Sequence, residues 1–207
     1  MAPFDRSKPI SEDPHQRFWS WFLANRDHVA VMIDDQHRGR RAYERLTAEM
    51  QRVHANMVPE LTRDADGTNV LVISADGHRD AVAAVIRSAD AAPVVPGWRV
   101  ERFRKPTLSG MRIVYQGLEV DPDTIRVAYQ VDSGAAVVHI GLVIPGYSKD
   151  DERFLGIGFL NLDHTIGEYN TIMHIGRIDL LSPQGTGVNV ELLTLSELRE
   201  LIEERFY

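Results

Sequence analysis

Asp163, His164, Glu168 and His174 bring two carboxylates and two imidazoles into one short stretch of the chain. That donor set suits a divalent metal such as zinc, or proton transfer at neutral pH. A helical pattern carrying Leu155, Phe159, Leu162 and Ile166 ends before Gly167, a residue suited to the left-handed position after a helix. Glu168 therefore falls beyond the helix, and His164 and Glu168 lose the i, i+4 geometry that places two ligands on one helical face. No second firm ligand pair accompanies them. The plainer reading gives a protonated His164 to the helix C-terminal dipole, leaves Asp163 solvated, and assigns Glu168 and His174 to turn and sheet. No metal and no cofactor is expected.

A second group, Ser74-Ala75-Asp76-Gly77-His78, joins an expected strand to an expected helix, where catalytic and phosphate-binding groups are often placed. Ser74, Asp76 and His78 are its candidate binding residues. The structural alternative makes Asp76 a helix N-cap, with Gly77 relieving backbone strain. The negative charge of Asp76 would also oppose an anion. Other signatures fail: no G-x-x-x-x-G-K-[ST] or G-x-S-x-G occurs, and Gly156-Ile157-Gly158 lies in a helical pattern without a third glycine. Asp64-Ala65-Asp66-Gly67 has its glycine at the wrong offset for a calcium loop, and Ala75 stands where such a loop needs Glu. Asp121-Pro122-Asp123 reads as a turn. Without cysteine, thiol catalysis, disulfides and iron–sulfur clusters are excluded.

Two basic groups, Arg38, Arg40, Arg41 and Arg45 at a helix start and Arg99, Arg102, Arg104, Lys105 and Arg112 around a strand, have the charge to bind an anion. Strand alternation divides the second group, and acids such as Asp34, Asp35, Glu44 and Glu101 dilute both fields. The net charge is −7, and from Asp151 onward four arginines face ten acidic residues. Nucleic-acid binding is not expected on this balance. His139 lies midway along a strand pattern and reads as a hydrogen-bonded sheet residue. Trp19, Trp21 and Phe22 are more aromatic surface than one helix face easily buries. Internal packing is the first reading, with self-association through Trp19 as the alternative.

These residues need elements to position them. Asp13 followed by Pro14, with Gln16 three residues after Asp13, starts a helix over about 14–25; Tyr43, Leu46, Met50, Val53 and Met57 mark a second. Strands at 58–63 and 68–74 flank an Asp-Gly turn, a helix carries Ala81, Val82, Val85, Ile86 and Ala89, and Trp98 to Arg104 forms another strand. Residues 106–123 read as a connector holding a short strand at 111–115 and a reversal at Gln116-Gly117. Ile125, Val127, Tyr129 and Val131 alternate, and after Asp132-Ser133-Gly134 the row Ala136 to Ile144 completes a hairpin. A helix from about Asp150, a strand at 172–181 bent at Gly176, a loop over 182–189 and a final helix behind the capping box Thr194-Leu195-Ser196-Glu197 close the chain.

Residues 58–104 and 124–181 thus share the order β-β-α-β. The expected class is α+β: a largely antiparallel sheet with packed helices, as two ferredoxin-like halves preceded by two N-terminal helices. The 207 residues are read as one globular unit, with a sub-division into 1–105 and 124–207. The start of the chain has no apolar signal core, and Gly134–Ile144 is too short to cross a bilayer, so a cytoplasmic location without membrane contact is expected.

Phe18-Trp19-Ser20-Trp21-Phe22, Val72-Ile73-Ser74-Ala75-Asp76-Gly77, Ala92-Pro93 with Trp98, Phe103-Arg104-Lys105-Pro106, Ile144-Pro145-Gly146-Tyr147, and Leu162-Asp163 with Gly167-Glu168-Tyr169 together resemble a family of uncharacterised bacterial proteins with no assigned activity. The resemblance implies a single architecture over most of the chain and a bacterial cytosolic origin, and brings no catalytic residues. The failed signatures favour a non-enzymatic protein-binding or regulatory module, acting on a protein partner or a second copy. The alternative is a small hydrolase or transferase, metal-assisted or not, around Asp163, His164 and Glu168.

Overall fold

The computed structural model describes residues 13–107, 112–182 and 192–207. The expectations for the start of the chain, for Met111 and for most of the 182–189 loop lie outside the described residues. The chain divides into two compact units, Met1–Arg102 and Phe103–Tyr207.

In the first unit, α1 (Pro14–Asp34) opens with the side chain of Asp13 accepting from the His15 N–H, and α2 (Gln36–Gln51) with that of Asp35 accepting from the Arg38 N–H. Both bonds satisfy donors that have no partner within the helix. Asp35 alone links the helices, so α1 runs nine residues beyond the expected Asn25 and α2 starts well before Tyr43. Gly39, which as a glycine after Asp34 and Asp35 has the look of a helix breaker, is where the two helices approach: a Cβ there would collide with the Met32 backbone.

Strands β1 (Val58–Arg63) and β2 (Asn69–Ser74) pair antiparallel across the Asp-Gly turn, in which Gly67 adopts φ +87°. A 3-10 turn leads into α3 (Val82–Asp90), and β3 (Trp98–Arg102) returns parallel to β2. Phe18, Trp19, Phe22, Leu46, Met50, Leu71 and Ile73 supply buried side chains to this unit.

The second unit begins with a small hairpin, β4 (Ile113–Tyr115) and β5 (Leu118–Val120), turned by Gln116 and Gly117, both at positive φ. It then repeats the earlier order: β6 (Arg126–Asp132) and β7 (Val137–Val143) pair antiparallel, α4 (Arg153–Ile166) and α5 (Glu168–His174) cross over, and β8 (Ile175–Leu181) lies parallel to β7. α6 (Leu195–Phe206) follows the expected capping box, in which Thr194 and Glu197 bond reciprocally. The 113–120 segment, expected within a connector, is part of this unit: its Tyr115 ring occupies the space that a Cβ on Gly156 of α4 would take.

The class is α+β, with three small, mostly antiparallel sheets. The ferredoxin-like detail does not carry over. A split β-α-β unit needs a strand inserted between its parallel pair, whereas β2–β3 and β7–β8 are direct neighbours. One face expectation also changes. α4 buries Phe154, Ile157, Gly158, Asn161, Leu162 and Ile166, and leaves Leu155 49% and Phe159 43% exposed. Gly158 lies on the buried face, where a Cβ would stand 3.2 Å from Leu142 and 3.4 Å from Ile144. Among the described residues no helix is long and apolar enough to cross a membrane.

Candidate functional site

The metal-like cluster falls at the junction of α4 and α5. Gly167 turns the chain there at φ +86°, and a Cβ would also come within 3.0 Å of the Pro106 ring, so both conformation and space require glycine. The segment around Arg104 crosses this junction. The Arg104 N–H donates to Glu168 Oε2 at 2.9 Å, the Glu168 N–H donates to the Arg104 carbonyl at 3.1 Å, and the Thr107 N–H donates to the His164 carbonyl at 2.7 Å. Helix-end groups that α4 and α5 leave unpaired find partners in this way.

The Arg104 guanidinium donates to Asp163 Oδ2 at 2.8 Å, with only 20% and 14% of the two side chains exposed. Burial pushes the Asp163 carboxyl above its ordinary range, against the opposing pull of Arg104 and Thr171. Asp163 is therefore a part-buried ion-pair member and not the solvated carboxylate expected. The Glu168 side chain is fully buried. His174 stacks on Phe206 of α6, with centroids 4.3 Å apart and rings 7° from parallel. Asp163 and Glu168 are thus joined through Arg104, while His174 belongs to an aromatic contact and His164 meets the segment through its carbonyl. Among the described residues, no group of three or more His, Asp or Glu side chains is placed to hold a metal ion.

At the second candidate, the buried Ser74 hydroxyl accepts from the Asp76 N–H at 2.9 Å, and Asp76 and Gly77 take φ of +48° and +79°. The chain re-enters helical geometry at Arg79, which makes His78 the flanking residue, without a side-chain cap. Asp76 is not the N-cap expected from sequence. Two successive left-handed residues turn the chain earlier, and the exposed Asp76 sits inside that turn.

Trp19 is 3% exposed, and its indole N–H donates to the Ser88 carbonyl at 2.8 Å. The self-association surface assigned to it is corrected: the indole completes a cluster with Phe18 and Phe22, centroids 5.0 and 5.6 Å away. A buried indole with a satisfied N–H is anchored in a core.

His139 accepts the Arg177 N–H at Nδ1, 2.9 Å away, so the neutral ring carries its proton on Nε2, on the side of Asp132. Between Val138 and Ile140 the register with β8 shifts by one residue, and the imidazole fills the space beside Gly176. This bulge is the bend expected at Gly176. A cleft of about 460 Å³ opens here, lined by Asp132, Ser133, His139 and Arg177.

A second cleft, of about 480 Å³, lies between α1 and α2 and is lined by Trp21, Asn25, His28, Arg38, Arg41 and Arg45. The arginines and Trp21 stand out in the sequence, each group by itself, whereas Asn25 and His28 do not. The available signal was the matching i, i+3/i+4, i+7 spacing on two helices joined by a tight link. The described architecture is that of an α+β protein with two β-β-α-β sheets. No family model, curated protein or solved structure matches the chain.

Proposed function

We propose that the protein is a non-enzymatic binding or regulatory module acting on a protein partner. The observation that carries this reading is the use of the chain's best acid–base candidates in joining α4 to α5: Asp163 is held by the Arg104 guanidinium and Glu168 by the Arg104 peptide group. A carboxylate in such a role is not presented to a substrate. Leu155 and Phe159, one helical turn apart on α4, offer a compact exposed apolar contact. A small hydrolase or transferase is the second reading, favoured by the raised carboxyl of Asp163, a property shared with general acids.

Two measurements separate these readings. Melting of the full chain with and without Mg²⁺, Mn²⁺ or Zn²⁺ is expected to show no cation-dependent rise; a rise abolished by both His164→Ala and Glu168→Ala makes the enzyme reading the right one. In a pull-down at moderate salt, a stoichiometric protein partner should be retained by the wild type and lost by Leu155→Ser/Phe159→Ser. Retention by both forms, or by neither, overturns the assigned surface.

A further inference from the structure

We propose that the cleft between α1 and α2 binds a small organic oligophosphate, of nucleotide size, that carries a flat ring. This site is independent of the α4 reading. A single residue, Asp35, links the helices, and Gly39 lets them close on one another. Arg38, Arg41 and Arg45 follow at i, i+3 and i+7 along α2, and Trp21, Asn25 and His28 at i, i+4 and i+7 along α1; all six line the same cleft.

Of the acids near this field, Glu44 pairs with Arg40, Glu49 with Arg52 and Asp34 with Arg63, while the Asp35 carboxylate stays at the end of the cleft, where it caps the Arg38 N–H. None of Arg38, Arg41 and Arg45 takes part in an ion pair among the described residues. Like charges at i, i+3 and i+4 destabilise a helix, so an anion in the cleft relieves a repulsion built into α2.

The donor chemistry selects the anion. Guanidinium groups present planar forks that match phosphate oxygens in pairs. The His28 imidazole and the second amide hydrogen of Asn25, whose first donates to the Trp21 carbonyl at 2.8 Å, add further polar contacts, and Trp21 adds a half-buried flat apolar face on which a ring can stack. A volume of about 480 Å³ lies in the small-ligand range of roughly 300–1,000 Å³.

Calorimetric titration of the full chain at low salt, with ATP and inorganic triphosphate as separate probes, tests the assignment. Both should bind saturably at one site and weaken as salt is raised, with ATP at least fivefold tighter. Arg41→Gln/Arg45→Gln should weaken both at least tenfold with an unchanged circular dichroism spectrum, since both side chains are exposed. Arg40→Gln/Glu44→Gln, which removes an ion pair outside the cleft without changing the net charge, should leave both affinities unchanged. Trp21→Ala should remove the preference for ATP. The proposal is overturned by no saturable binding, by binding insensitive to the arginine pair, by equal affinity for the two probes, or by tighter binding of a hexaglutamate peptide.

Discussion

Removing Arg104 and removing the charge of Asp163 should have unequal consequences. Arg104→Ala leaves a carboxylate that is 14% exposed without the cation 2.8 Å from it. Breaking a fully buried pair from one side costs roughly 3–5 kcal/mol, and the partial exposure here reduces the expectation to about 2–4 kcal/mol. Asp163→Asn removes the buried charge and keeps an acceptor for the guanidinium, so about 0–1.5 kcal/mol is expected. The folded carboxyl of Asp163 lies above its unfolded value because of burial. The folded state therefore binds this proton more tightly, and the stability linked to it is fully present below the unfolded pKa and lost as pH rises through the folded one. Without Arg104 the upward push has less opposition, so the penalty in Arg104→Ala should be largest near pH 8 and shrink toward pH 5. Scanning calorimetry of wild type, both single variants and the double variant at pH 5, 6.5 and 8 measures this. At pH 8, Arg104→Ala should melt roughly 4–16 °C below wild type, with part of the loss recovered in the double variant. Equal losses in the two single variants, with no dependence on pH, would refute the reasoning.

Gly39→Ala should destabilise the first unit by about 3 kcal/mol or more, because relieving the clash with the Met32 backbone means separating α1 from α2; a chemical-denaturation midpoint followed by tryptophan fluorescence reports this, and a change below about 0.5 kcal/mol would sink the packing argument. Gly176→Ala brings a Cβ to within 2.5 Å of His139 Nδ1 and should cost about 1–3 kcal/mol. In His139→Ala the same change should cost much less, and a double-mutant cycle without coupling would remove His139 from the bulge.

The local signals that survived folding are those whose physics is local. The Thr194–Glu197 capping box, the Asp-Gly turn before β2 and the Gln116-Gly117 reversal depend on side-chain-to-backbone bonds and left-handed backbone within four residues. The β6–β7 hairpin was legible from its apolar row, since Val138, Ile140, Leu142 and Ile144 are all buried, whereas the alternation expected along β6 fails at Tyr129, which is 41% exposed. The length of α1 was not legible: Asp34 and Asp35 look like breakers, yet one residue between two helices suffices once Gly39 allows their approach.

Composition alone excluded thiol and cluster chemistry, and local pattern determined the α+β class and both hairpins, but not α5, which forms over Glu168–His174 where the pattern gave turn and strand. Only tertiary structure decided what the polar residues do. Arg104 and Glu168 are 64 positions apart, and no local periodicity indicates that a peptide group of one meets the carboxylate of the other. For the same reason Trp19 passed from candidate surface to core, because the partner of its N–H is the carbonyl of Ser88, 69 residues away. Arg38, Arg41 and Arg45 became one wall of a cleft only when α1 folded back to form the other. Burial and pairing are properties of the folded chain, and they determine whether a charged side chain joins elements together or remains open to a ligand.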